Sequence, residues 1–288
     1  MTLREACLYG ERRLMEAGVP ESGLNGWLLL EYVSGCTRSH YLAYPEEELS
    51  EKEEQDFLTA LKLRCKRVPL QYITGVQEFM GHTFLVNDQV LIPRQDTELL
   101  VEEALKYLKP GMRFLDLCTG SGCILLSLLL GCPEAFGTGA DISPGALKAA
   151  ERNREHLGQE ALLVESDLFE QIEGCFDVIV SNPPYIRSRE IPELMDEVRI
   201  YEPLSALDGH EDGLYFYRKI AKESPSYLKA GGRLYLEIGY DQGLSVPRLL
   251  EEQGFCEIEV KKDLAGLDRV VKGIYPGYCE TGMEEQDV

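Results

Sequence analysis

Phe114-Leu115-Asp116-Leu117-Cys118-Thr119-Gly120-Ser121-Gly122 reads as a buried strand that runs into a glycine-bearing turn and opens a helix. Glycines at such a turn let a ligand come close to the backbone, and the first helical N–H groups are free to meet it. Asp116 lies inside the strand just before the turn, within reach of an ammonium group. Asp141 ends the next apolar strand, at about the spacing (roughly 20 residues) where a carboxylate can accept both hydroxyls of a ribose. A lone Gly-x-Gly is weak alone and also fits dinucleotide binding. Asp141 could equally be a helix N-cap, although Ser143 serves that purpose well.

Outward from this stretch the pattern alternates. Helices are expected at 97–108, 122–130, 144–156, 214–228 and 242–252. Between them fall apolar strands at 113–118, 135–141, 161–165, 176–181 and 233–238, with two more at 256–261 and 269–273. This βαβ rhythm predicts an α/β domain whose mostly parallel, seven-stranded sheet carries helices on both faces. After the third of these strands, Asp167 could accept from an amino group on a flat heterocycle, with Leu168 packing on the ring. Asp167 could also simply cap a turn.

A second corner follows the 176–181 strand, at Asn182-Pro183-Pro184-Tyr185. Two prolines fix φ and donate nothing to a ladder, so the strand stops there in a stiff bend. Carboxyl ends of strands are where open α/β sheets place their ligands. An amide, exposed carbonyls and a ring on that bend suit a planar group bearing an NH2. The plainer alternative is a strand-ending turn with a buried tyrosine.

Composition sets bounds. The chain has 288 residues, 44% hydrophobic and 27% charged, in the ordinary range for a globular protein. A net charge of −21 opposes broad binding to a phosphate backbone. No apolar run approaches a membrane span, and the first residues carry no signal-peptide core. Nine scattered cysteines then read as free thiols in a reducing cytosol. Four separated histidines and unpaired cysteine spacings point to no metal site.

Residues 1–75 read as a small helical bundle. Thr2 with Glu5 and Ser50 with Glu53 have capping-box spacing, and Leu24, Trp27, Leu28, Leu30 and Val33 form a stripe ended by Gly35. The bundle either contacts a partner or is a packing appendage. Residues 76–92 suggest a hairpin linker, 93–280 the main domain, and 281–288 an acidic tail.

These residues resemble a known family. Asp116 to Gly122 with Asp141 is similar to the nucleoside half of class I S-adenosylmethionine-dependent methyltransferases, whose fold is Rossmann-like. Asn182-Pro183-Pro184-Tyr185 resembles their amino-methylating subgroup, which acts on adenine, guanine or glutamine. Six further segments resemble the HemK/PrmC family: Pro69 to Gly75, Ile92-Pro93-Arg94 with Thr97-Glu98, Glu202-Pro203 with Ala206-Leu207, Asp212-Gly213-Leu214, Leu236-Glu237-Ile238-Gly239, and Asp263 to Gly266 with Asp268-Arg269. The resemblance covers nearly the whole chain. It implies methylation of the side-chain amide of the glutamine in the Gly-Gly-Gln loop of class I peptide chain release factors, with release of S-adenosylhomocysteine. It also implies a monomeric, cytoplasmic enzyme whose N-terminal bundle binds the release factor, without metal, membrane or direct nucleic-acid contact.

Carried over residue by residue, the resemblance assigns the cofactor to Asp116, Cys118, Thr119, Gly120, Ser121, Gly122, Asp141, Ile142, Asp167, Leu168 and Asn182. The acceptor amide falls to Asn182, Pro183, Pro184 and Tyr185. Asn182 Oδ1 and the Pro183 carbonyl would accept its two hydrogens, and Tyr185 would bound it. Three positions depart from the family pattern. Cys118 replaces a usual Gly and is tolerable at negative φ. Gln95-Asp96 replaces Pro-Glu, and Leu168 stands where some members carry Trp. Two other readings remain: an RNA or DNA amino-methyltransferase using the same corner, and a non-catalytic cofactor-binding homologue.

Overall fold

The computed structural model describes residues 1–277; the expected acidic tail lies outside them. The chain divides into two compact units, Met1–Val76 with Met195–Tyr201, and the remainder. In the first unit, helix α1 (Leu3–Glu16) starts at a reciprocal capping box. Thr2 Oγ1 accepts the Glu5 N–H at 3.2 Å, and a Glu5 oxygen accepts the Thr2 N–H at 2.8 Å. Helix α2 (Ser22–Ser34) ends on Gly35 at φ 65°, the left-handed cap that glycine adopts without steric cost. Trp27, Leu29 and Leu30 are buried, whereas Leu24 is 51% exposed, so the buried face lies one step round from the expected stripe. Helices α3 (Arg38–Ala43), α4 (Glu51–Cys65, opened by the Ser50–Glu53 box) and α5 (Leu70–Thr74) complete the bundle around Leu14 and Phe57.

In the second unit, strands β1 (Val76–Phe79) and β2 (His82–Leu85) form the expected hairpin. Met80 and Gly81 both have positive φ (51° and 74°), the turn geometry that matches strand twist. A 3-10 turn at Gln95–Thr97 leads into α6 (Glu98–Leu105). There follow β3 (Arg113–Leu117), α7 (Cys123–Gly131), β4 (Phe136–Asp141), α8 (Pro144–His156), β5 (Ala161–Glu165) and β6 (Phe176–Ser181). Helix α9 (Asp196–Tyr201) belongs to the first unit. The chain then forms α10 (Tyr215–Glu223), β7 (Leu228–Glu237), α11 (Ser245–Glu252), β8 (Cys256–Lys262) and β9 (Asp268–Tyr275).

The seven-stranded sheet runs β5-β4-β3-β6-β7-β9-β8. It is parallel from β5 to β7, and β9 pairs antiparallel with both β7 and β8. Alternation along β3 sends Phe114 into one apolar layer and Leu115 and Leu117 into the other. The strand expected from 233 begins earlier, at Leu228. Pro225 closes α10 through a 3-10 turn, and Leu228 pairs with Phe176. Seven described cysteines are free; Cys175 is disulfide-bonded, which departs from the free-thiol expectation. No helix among the described residues is long and apolar enough to cross a membrane.

Candidate functional site

Strand order reverses between β3 and β6, and the crevice outside their carboxyl ends is the switch point of the sheet. Leu117 pairs with Ser181, so the residues that follow, Cys118 and Asn182, are neighbours. Leu117 also pairs with Ala140, and Ser181 with Leu236, which sets Asp141 and Glu237 in the same row. Cys118, Asp141 and Asn182 border one cavity of about 540 Å3.

The glycine turn folds as a series of left-handed positions. Cys118, Gly120 and Gly122 have φ of 59°, 56° and 78°. The condition set for Cys118 therefore reverses: its φ is positive, because the turn requires that conformation whatever residue occupies it. Thr119 N–H donates to the Ala140 carbonyl at 3.0 Å, and Gly120 N–H to Asp141 Oδ2 at 2.9 Å. Asp141 Oδ1 accepts from Ser143 N–H at 2.9 Å, and Ser143 caps α8 as expected. Burial raises the Asp141 carboxyl against those hydrogen bonds.

Asp116 is fully buried beneath the turn and does not border the cavity. Its Oδ2 accepts from Thr119 Oγ1 at 2.6 Å and from Leu125 N–H at 3.1 Å, while Oδ1 has no partner. Burial pushes this carboxyl up to about 7. It braces the turn to the first coil of α7.

Of the other expected residues, Thr119, Gly120, Ser121, Ile142, Asp167, Leu168 and Pro184 border the cavity. Gly122, Pro183 and Tyr185 do not. Asp167 pairs with Lys219 at 3.4 Å and caps no turn with its side chain. Leu168 holds φ 51° and is fixed by Ser166, whose hydroxyl donates to the Leu168 carbonyl at 2.8 Å. Tyr185 packs on the apolar layer that holds Tyr217 and Leu236, and burial raises its phenol. Its carbonyl accepts from Gln242 Nε2 at 3.4 Å, and the same nitrogen donates to Gly213 O at 3.0 Å.

Several functional neighbours carried no role in the sequence. Asn182 Nδ2 donates to Thr97 Oγ1 at 3.3 Å. Glu237 is 1% exposed, and burial pushes its carboxyl up to about 7, against hydrogen bonding from Thr97, the Arg269 charge and hydrogen bonding from Asn182. Arg94 pairs with buried Glu202, and His210, Tyr215 and Phe216 form an aromatic wall of the cavity. Each lies in or beside a segment that marked the family resemblance, which was the available signal.

Two family models match the chain: the PrmC N-terminal domain over residues 5–75, and the methyltransferase small domain over residues 95–199. A release factor glutamine methyltransferase of Geobacter sulfurreducens is 42% identical over 273 residues, 94% of this chain and 96% of that protein. The chain belongs to the release factor glutamine methyltransferase family. Another family member, from Clostridium acetobutylicum, is 43% identical over 257 residues, 87% of this chain and 90% of its own. Among solved structures, a methyltransferase from Pyrococcus furiosus aligns with a TM-score of 0.52 at 19% identity, over 69% of this chain and 91% of that one. That likeness concerns the fold alone.

Proposed function

We propose that this chain transfers a methyl group from S-adenosylmethionine to the side-chain amide nitrogen of the glutamine in the Gly-Gly-Gln loop of class I peptide chain release factors. It acts as a cytoplasmic monomer, and its N-terminal bundle contacts the release factor. The observation that carries this reading is the adjacency of Cys118 and Asn182 on paired strand ends, over one cavity. A cofactor turn and an acceptor corner that share a wall suit transfer between two bound groups.

The residues present fit the cofactor. The left-handed turn lets backbone come close to a ligand, Asp141 borders the cavity with acceptor capacity beyond its two backbone hydrogen bonds, and Leu168 offers an apolar surface. Asp116 supports this half indirectly by holding Thr119 and α7 in place. When bound, S-adenosylmethionine supplies a methyl group already activated on a sulfonium. The chain's task is then to aim a poor nucleophile, because an amide lone pair is delocalised.

Asn182, which borders the cavity, accepts one amide hydrogen through Oδ1 and turns the nitrogen toward the methyl group, and the Pro183 carbonyl, on the residue behind that wall, is the proposed acceptor of the second. Charge that builds on nitrogen strengthens these bonds, so they stabilise the transition state more than the ground state. Alignment supplies much of the rest. Tyr185 stiffens the corner through its packing on the layer that holds Tyr217 and Leu236, and its ring, which does not border the cavity, is not needed to bound the amide. The amide proton becomes strongly acidic once nitrogen is methylated, so no covalent intermediate and no metal is required.

Replacing Asn182 with Ala tests the assignment. Cofactor affinity should stay within about twofold while kcat falls roughly 100-fold, the scale for removing one preorganised hydrogen-bonding group. Equal loss of binding and transfer would place Asn182 in the cofactor site alone.

A further inference from the structure

We infer that Thr97 and Glu237 are positioning residues for Asn182, holding its NH2 group inward so that Oδ1 is the atom presented at the corner. The inference rests on the amide-transfer reading above and adds two residues to it.

An asparagine side chain has nearly the same shape when its oxygen and nitrogen exchange places. A flipped Asn182 would offer a donor where the acceptor amide also donates. The corner therefore works only if something distinguishes the two orientations. Thr97 stands at the N-cap position of α6, where a threonine hydroxyl ordinarily accepts from the helix start. Here it makes no capping bond. Thr97 is 2% exposed, and its hydroxyl accepts from Asn182 Nδ2 at 3.3 Å.

A hydroxyl can donate as well as accept, so Thr97 alone does not decide the orientation. Glu237 does. The β6–β7 register puts it in the position beside Asn182, and Thr97 and Asn182 both offset the burial of its carboxyl. An ionised carboxylate only accepts. Above about pH 7, where this buried carboxyl ionises, it can accept from the Thr97 hydroxyl, which leaves Thr97 as an acceptor toward Asn182. Arg269, held by Asp263 at 3.1 Å and Asp96 at 3.2 Å, offsets part of the burial that raises this carboxyl to about 7. One carboxyl oxygen, Oε2, is buried without a partner, which disfavours a packing role alone. Tyr217 hydroxyl fixes the Glu237 backbone by donating to its carbonyl at 2.8 Å.

The test uses the full chain with Thr97→Val, Thr97→Ser and Glu237→Gln. Steady-state transfer to a release factor gives kcat and KM, calorimetry gives cofactor affinity, and amide NMR follows the Asn182 NH2 pair, assigned by its loss in Asn182→Asp. Thr97→Val should lower kcat by roughly 10- to 100-fold with cofactor affinity and KM within about twofold, and Thr97→Ser should restore most of it. Glu237→Gln, which can donate to Thr97, should shift kcat the same way by a smaller factor. The Asn182 NH2 protons should exchange slowly in the unaltered protein and faster in both variants. Unchanged kcat and exchange in Thr97→Val, or no recovery with Thr97→Ser, would overturn the inference. Should Thr97→Val fail to fold, Glu237→Gln carries the same NMR comparison. An unaltered enzyme that leaves the release factor unmethylated would defeat the functional reading, while Asn182 exchange would still decide the positioning.

Discussion

At the scale of single residues, Asp116 shows how the turn trades stability for shape. Its carboxyl is fully buried and raised from 3.8 to about 7, chiefly by burial. The folded protein therefore holds a proton that the unfolded chain has released. Stability is complete below the unfolded value and falls as pH rises toward the folded one. Between about pH 5.5 and pH 7 this one group should cost roughly 2 kcal/mol. Asp116→Asn keeps an acceptor for Thr119 and Leu125 and carries no charge, so its urea midpoint should vary less over that range. An identical pH slope in both proteins would show that Asp116 titrates normally. Cys118, Leu168 and His210 tell a related story: three non-glycine residues at positive φ border one cavity. Such positions cost on the order of 1–2 kcal/mol each and persist where the surroundings over-determine them. The positions of Asp141 and Asn182 at strand ends, both bordering the cavity, were legible in the sequence. Backbone sign was not, because φ at Cys118 is set by the turn rather than by the cysteine.

At the scale of elements, one register row explains the site. Asp141 and Glu237 are the last residues of β4 and β7, and Cys118 and Asn182 follow the last residues of β3 and β6. Strand ends can be read from apolar runs and prolines, which is why the two corners were found at their observed positions. Strand neighbours cannot be read that way, so Glu237 and Thr97 remained motif fragments without a role. The corner is also clamped from behind. A Cβ on Gly209 would lie 2.8 Å from the Tyr185 backbone, and one on Gly213 would lie 2.5 Å from the Tyr185 carbonyl oxygen. Gly213 also holds φ 74°. Gly213→Ala should therefore displace Tyr185 and Asn182 together, at a cost of about 2 kcal/mol or more in stability. Transfer should fall further than cofactor affinity. Normal transfer by this variant would show that the bend tolerates movement.

At the scale of the whole molecule, the alternating pattern from 113 onward was legible because each strand and helix keeps its own period. Helix α9 was not. It joins the first unit through Glu197, which pairs with Arg64 at 2.9 Å and with Arg67, more than a hundred residues away. A long-range ion pair leaves no local trace in a sequence. The charge of −21 speaks against a nucleic-acid substrate, whose affinity would depend on basic side chains. It leaves a protein acceptor as the consistent partner. The most direct measurement is peptide mass analysis of a class I release factor after incubation with the purified chain and S-adenosylmethionine. The expected product carries a single added methyl group on the glutamine of its Gly-Gly-Gln loop, absent when that glutamine is replaced or Asn182 is Ala. A methyl group found elsewhere, or transferred equally well without that glutamine, would contradict the proposed role of the Asn182 corner.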